Sequence, residues 1–179
     1  GFLMERTRQS PLDEALALVE EGFTVVPAHP VKKLPLVKWA VFQEREPTED
    51  EYAYWTSSAK FKGCNWAIVT GRQINVVDAD SAEAEQWIKE HLPYTPRTVK
   101  TARGRHFYYQ ANGLAISNST DAEAKIDIRG QGGIVIAPGS VHETGAIYTQ
   151  KIDEGVDGDW RHLPELTSSH IERDKNFNH

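Results

Sequence analysis

The sequence predicts an α+β protein built around antiparallel strand pairs. Helical and strand patterns are mixed along the chain, and several strands are joined by short hairpin-like turns, not by a regular alternation of strand and helix. The length of 179 residues suits one domain, with room for an appendage. Hydrophobic residues at 39% and charged residues at 26% fit a globular protein with its own core.

Two helices are predicted in the N-terminal half, each from its capping residues. Ser10 precedes a proline at the first turn, apolar residues then recur at helical spacing, and Gly22 ends the pattern. Residues 23–27 predict a strand. Thr48 opens a capping box for a second, short helix that runs to about Trp55.

The rest of the chain predicts strands and one further helix. The strands are expected at residues 65–71, 74–78, 98–101, 106–109, 124–129, 133–137 and 147–149. A tight turn joins the first two, and a helix ending near Leu92 follows them. The third and fourth should form one hairpin, and the fifth and sixth another across residues 130–132.

The C-terminal part is more polar than the rest. We therefore expect a folded domain over residues 4–155 and an extension over residues 156–179. Within that extension, residues 168–179 are typical of a linker or a frayed end.

Charge and cysteine content exclude several classes of protein. The net charge of −6 argues against a protein that coats nucleic acid, although a local basic cluster can still grip a short piece of it. The single cysteine, Cys64, excludes an internal disulfide framework and a multi-cysteine zinc site. No membrane span or signal peptide is visible in the sequence, so a cytoplasmic protein is expected.

The motif "INVVDAD" places two aspartates directly after a β-branched run. Residues i and i+2 of a strand point to the same face, so Asp78 and Asp80 should project side by side. Adjacent carboxylates repel unless a cation lies between them. A plainer interpretation stays open, in which the aspartates end the strand and Asp80 or Ser81 caps the next helix.

Three further segments carry polar side chains near strand ends. His106 follows a glycine between two arginines, a combination suited to phosphate oxygens. Asp127 alternates with two isoleucines and could equally face solvent. The turn-rich loop at residues 137–145 is dense in hydrogen-bonding groups. Each signal is weak by itself.

Together and in this order, the segments resemble a known family. The segments "EEGFTVVPAHPVKKLPLVKW", "NWAIVTG", "INVVDAD", "TARGRHFYY" and "KIDIRGQGGIVIAPGSVHETGAIY" resemble the bifunctional DNA primase/polymerase N-terminal (prim-pol) domain of the archaeo-eukaryotic primase superfamily. The resemblance covers about residues 12–148. It implies an RRM-like, mostly antiparallel sheet with flanking helices and an N-terminal αβ unit.

The resemblance also implies a set of site residues. Asp78, Asp80 and Asp127 would hold two Mg²⁺ or Mn²⁺ ions for phosphoryl transfer. His106 would contact the phosphates of an incoming NTP or dNTP. The remaining candidates for nucleotide binding are Arg103, Arg105, Arg129, Ser140 and His142. Gly130, Gly132 and Gly133 would let the backbone approach the substrate closely.

The implied partners are a DNA template and primer. Relatives act in plasmid and phage replication, and many continue into a helicase domain. Two departures from the family pattern stand out: Gly104 replaces a serine often found two residues before the histidine, and one cysteine cannot build the zinc element of some members.

Other functions remain open from the sequence. A metal-dependent glycosyltransferase also uses Asp-x-Asp after an apolar strand, and a nuclease could use the same three carboxylates. An inactive RRM-like nucleic-acid-binding module could stack bases on Tyr108 or Tyr109.

Overall fold

The computed structural model describes residues 9–111, 116–167 and 170. In these ranges the chain forms three α helices: α1 (Pro11–Glu21), α2 (Glu49–Ser57) and α3 (Ala82–His91). It also forms nine strands: β1 (Val25–Ala28), β2 (Asn65–Val69), β3 (Ile74–Ala79), β4 (Arg97–Lys100), β5 (Arg105–Gln110), β6 (Ser119–Asp121), β7 (Ile126–Arg129), β8 (Ile134–Ile136) and β9 (Thr149–Ile152). The predicted α+β class is confirmed.

The helix ends follow the capping residues seen in the sequence. The Ser10 hydroxyl accepts the backbone N–H of Asp13 at 3.1 Å, and α1 stops at Gly22, whose φ is +100°. Thr48 caps α2 in the same way through Glu51 at 3.1 Å. Ser81, the second of the two candidates, caps α3 through the N–H of Ala84.

The strands form two antiparallel sheets in the described part of the chain. A three-stranded sheet has the order β1-β2-β8, and a six-stranded sheet has the order β6-β7-β3-β5-β4-β9. The β4–β5 hairpin confirms the first predicted strand pair. The last strand is β9, two residues beyond the predicted start, because Ile147 instead bridges Val141 in the preceding loop.

The second predicted strand pair is wrong. β7 and β8 exist, but β7 pairs with β3 and β6, whereas β8 pairs with β2 in the other sheet. The Thr70 hydroxyl donates to the Gly130 carbonyl at 2.6 Å, and the Thr70 N–H donates to the Gly133 carbonyl at 3.0 Å. These bonds draw the turn toward the end of β2, so residues 130–133 become a crossover between sheets.

Alternation along β3 separates two apolar cores. Val76 packs between the sheets, in the core that includes α1 and Tyr108. Val77 and Ala79 point to the other face and pack with α3. Asp78, between them in sequence, therefore lies on the same face as Val76.

Part of the predicted extension packs on the domain. Leu163 and Leu166 are 3% and 1% exposed, and the N–H of Gln110 in β5 donates to the Pro164 carbonyl at 2.9 Å. The boundary at residue 155 stays a prediction, but the chain is held against the sheet as far as Leu166. Of residues 168–179, all but His170 lie outside the described residues. In the described ranges, no helix combines the length and apolar character needed to span a bilayer.

Candidate active site

Strand pairing brings three of the candidate side chains into one row. Asp78 on β3 lies opposite His106 on β5 and opposite Asp127 on β7. Asp80 lies just past the end of β3, where its backbone N–H donates to the Lys125 carbonyl at 2.9 Å. The spacing of the two aspartates in "DAD" and the strand register together bring the three carboxylates and His106 close to one another at the centre of the six-stranded sheet.

These side chains open into a cavity of about 290 Å³. All three carboxylates and His106 line it, and Arg129 and Tyr148 complete part of its wall. A smaller cleft beside it shares Asp78, Asp80 and His106. The three carboxylates and His106 therefore face a common space.

Asp78 carries the most buried carboxylate of the row, with 17% of its side chain exposed. Burial raises its pKa, but His106, Lys33 and Arg129 together outweigh burial and hold the pKa of Asp78 below its ordinary value. The His106 Nε2 lies 3.6 Å from Oδ1 of Asp78, which is ion-pair range but too long for a hydrogen bond. This Oδ1 is buried and accepts no hydrogen bond from the described residues.

Asp127 differs from Asp78 in its electrostatic setting. Burial raises its pKa, and the neighbouring carboxylates of Asp78 and Asp80 raise it further. Arg129 opposes this shift, because its Nη2 lies 3.0 Å from Oδ2 of Asp127. The net direction is upward, which is the expected response of a carboxylate placed beside like charges.

The donor set suits a hard divalent cation. Carboxylate oxygens are the ligands that Mg²⁺ and Mn²⁺ prefer, and no described residue donates a hydrogen bond to the buried Oδ1 of Asp78. Over residues 9–111 and 116–167, however, no three His, Cys, Asp or Glu side chains already stand together as a complete metal site. Arg129 donates to Oδ2 of Asp127, so a metal bound to Asp127 would share this carboxylate with Arg129.

The other predicted nucleotide-binding residues divide into two groups. Arg103 and His142 line the smaller cleft, and Arg129 lines the larger cavity. Gly132 and Gly133 also line the larger cavity.

The structure does not bring Arg105 and Ser140 to the site. Arg105 neighbours His106 on one strand and so points to the opposite face, where it binds Glu85 at 3.0 Å and Thr98 at 3.1 Å. Ser140 is fully buried, and its hydroxyl is bonded to the backbone N–H and carbonyl of Trp66. Both side chains stabilise the fold around the site.

Gly130 has a different role from the one predicted. A Cβ on Gly130 would lie 1.9 Å from the Ile116 carbonyl oxygen. Its close approach is therefore to the protein's own backbone and not to the substrate cavity.

Three of the cavity residues that the sequence analysis missed carry polar groups near the carboxylates. Tyr148 is 3% exposed, its ring lies 6.0 Å from that of His106, and burial together with Asp78 and Asp80 raises its pKa to about 12. Lys33 stands in the segment that carries the family resemblance, which was a usable signal. Asn118 had no sequence signal and enters the cavity wall through the fold.

The fold and the cavity define an α+β protein with an acidic site at the centre of an antiparallel sheet. The family described as "Bifunctional DNA primase/polymerase, N-terminal" matches residues 15–166, so the chain belongs to this family. Membership supports a DNA primase/polymerase function in general, with DNA and nucleotides as the molecules bound. No curated protein matches the chain significantly.

Proposed function

We propose that the chain is a template-dependent nucleotidyltransferase, the DNA primase/polymerase of a plasmid, phage or other mobile-element replication system. The observation that carries this proposal is the row of Asp127, Asp78 and His106 across three neighbouring strands, with Asp80 at the end of the middle strand. Family membership supplies the reaction class, and the row supplies residues able to perform it.

Asp78, Asp80 and Asp127 would hold Mg²⁺ or Mn²⁺. When bound, two such ions supply activation of the primer 3′-hydroxyl and neutralisation of the leaving pyrophosphate. The three carboxylates bring −3 of formal charge to one cavity, and Arg129 offsets part of it. Without a further cation, the site would repel a triphosphate.

His106 and the cavity arginines would orient the nucleotide. His106 is 5% exposed, its ring lies 6.0 Å from the Tyr148 ring, its Nε2 lies 3.6 Å from Oδ1 of Asp78, and its Nδ1 has no hydrogen-bond partner among the described residues. A rigidly placed imidazole N–H can donate to a phosphate oxygen without first losing side-chain freedom. Arg103 and Arg129 add charge-assisted donors at either side of the row.

The proposed partners are an NTP or dNTP and a primed DNA template. A helicase domain or protein that acts with this chain belongs to the same proposal. Salt should weaken template binding with a shallow slope, because a chain of net charge −6 offers few Lys and Arg contacts to phosphates.

One assay separates this function from the alternatives. The wild-type protein is incubated with a primed template, Mn²⁺ and labelled dNTPs, and we expect primer extension. Shortening of the DNA would instead indicate a nuclease, and binding without reaction would indicate a non-catalytic module.

The Asp80→Asn variant should abolish extension and reduce the rise in Tm caused by Mn²⁺, because a ligand stabilises the native state only as far as it binds. Asp50→Asn is the matched control, since Asp50 is an exposed carboxylate of α2 that lines neither cavity. Near wild-type extension by the Asp80→Asn variant would remove Asp80 from the site.

A further inference from the structure

Lys33 lies in a loop whose backbone is fixed by several hydrogen bonds. The His29 Nδ1 accepts the N–H groups of Val31 at 3.0 Å and Lys32 at 2.9 Å. The His29 N–H donates to the Leu34 carbonyl at 2.8 Å, and Pro35 bridges back to the end of β1. The turn at residues 29–35 is therefore built to hold the residue at its tip in a defined position.

That position is at the mouth of the acidic site. Lys33 lines both the larger cavity and the smaller cleft, each of which also contains Asp78, Asp80 and His106. Lys33 enters the wall of the site from the loop after β1, a strand of the other sheet.

Lys33 also differs from the other cations near the row. Arg129 is paired with Asp127 at 3.0 Å and Arg105 with Glu85 at 3.0 Å. Lys33 is exposed and forms no ion pair within 4.0 Å with any residue that the structure describes. A lysine that served only as a counter-ion to Asp78 would be bonded to it, whereas this ammonium group is free to bind a ligand.

A second unpaired cation stands across the smaller cleft. Arg103, in the turn between β4 and β5, lines the same cleft as Lys33 and likewise has no ion pair with the described residues. The cleft thus combines two available cations with His106 and His142 beside the carboxylates. Such a mixture suits a polyanion whose charge is shared between protein cations and metal.

We propose that Lys33 binds the triphosphate of the incoming nucleotide, together with Arg103, so that each sheet supplies one cation to the same phosphate chain. This inference rests on the proposed function. An ammonium group is a compact point charge with three donors, which suits phosphate oxygens in varied geometries. Lys33 would act on the substrate's charge and not on its base or on the template.

The test compares Lys33→Gln with Lys33→Arg and with Lys32→Gln. Lys32 is the adjacent exposed lysine, and it lines neither cavity, so Lys32→Gln removes the same charge from the same loop. For each protein, KM and kcat for dATP, Kd for a primed duplex, and Kd for inorganic tripolyphosphate in Mn²⁺ are measured. Loss of one charge-assisted contact should raise KM for dATP and Kd for tripolyphosphate by about 10-fold or more.

We expect Kd for the duplex to stay unchanged, Lys33→Arg to restore most of the nucleotide affinity, and Lys32→Gln to behave as wild type. If wild type extends primers and Lys33→Gln has wild-type KM and tripolyphosphate affinity, the Lys33 inference is overturned and the proposed function stands. If wild type extends no primer but tripolyphosphate binding depends on Lys33, the proposed function fails and the phosphate site stands. A loss of duplex affinity alone would assign Lys33 to the template and also overturn the inference.

Discussion

Gly104 offers a sharp test of how the acidic site is positioned. Gly104 lies in the turn before His106, and its backbone packs against Ala79, the residue between Asp78 and Asp80. A Cβ built on Gly104 would lie 1.8 Å from the Ala79 carbonyl oxygen and 3.3 Å from the Asp80 Cα. The obstacle is backbone, so no side-chain rotation can make room.

The size of the required movement follows from these distances. Cβ contacts under 3.0 Å are essentially never found, so Gly104→Ala must move the turn or the Ala79 backbone by at least about 1.2 Å. Overpacking of this kind costs about 1–3 kcal/mol of the free energy of unfolding. A misplacement of about 1 Å at a catalytic centre lowers the rate by about 100-fold. We therefore expect a modest loss of stability and a much larger loss of primer extension.

Gly63→Ala is the control that separates the two effects. Gly63 has a φ of +75°, so alanine is strained there, but its Cβ would meet no atom of the described residues within 4 Å, and Gly63 lies outside the acidic cavity. Urea unfolding should show losses of similar order for both variants, whereas extension should fall only for Gly104→Ala. Gly104→Ser should be as harmful as Gly104→Ala, because serine carries the same Cβ. Wild-type extension by Gly104→Ala would refute the close approach of the turn to the aspartates.

The remaining predictions concern a buried cysteine, chain initiation and the C-terminal residues. Burial raises the pKa of the Cys64 thiol to about 11, so alkylation at pH 8 should be at least about 100-fold slower in the folded protein than in urea. Because the pKa of Cys64 is raised above its unfolded value, the stability that the neutral thiol contributes is complete below about pH 9 and is lost toward pH 11. Between these pH values, urea titrations should show the wild type losing stability relative to Cys64→Ala. Parallel stability curves for the two proteins would contradict the pKa shift. We also expect this chain to extend a supplied primer well and to start DNA chains de novo poorly, because starting requires two nucleotides and a template to be held without a duplex. Equal product from primed and unprimed templates would contradict this prediction. Deleting residues 168–179 should leave extension unchanged, since Leu166 is the last buried apolar side chain among the residues that the structure describes.

Local signals in the sequence predicted local structure well. Ser10 and Thr48 mark helix starts because their side chains satisfy backbone N–H groups within three residues, an interaction that needs no distant partner. The common face of Asp78 and Asp80 follows from strand geometry for the same reason. Successive side chains of a strand point to opposite faces, so the position of Arg105 on the face opposite His106 could have been predicted from the sequence.

The pairing of residues that are distant in the chain could not be predicted from the sequence. The glycine-rich segment after β7 is compatible with a hairpin, and nothing within it reveals that Thr70, some 60 residues earlier, bonds the Gly130 carbonyl. Ser140 was misjudged for a related reason, because its partner Trp66 lies 74 residues away. In each case a distant backbone group fixes the side chain or the turn, and the choice depends on the whole fold.

The two crossovers explain why the acidic site lies where it does. Residues 70–73 carry the chain from β2 to β3, and residues 130–133 carry it from β7 to β8, so both pass from one sheet to the other at the same point. They touch there, since a Cβ on Gly71 would lie 2.7 Å from the Gln131 Cα. This contact joins the three-stranded sheet, whose strand β1 leads into the Lys33 loop, to the strands that carry the carboxylates. Substitutions at Gly71 should therefore impair nucleotide binding through Lys33 even though Gly71 lines neither cavity.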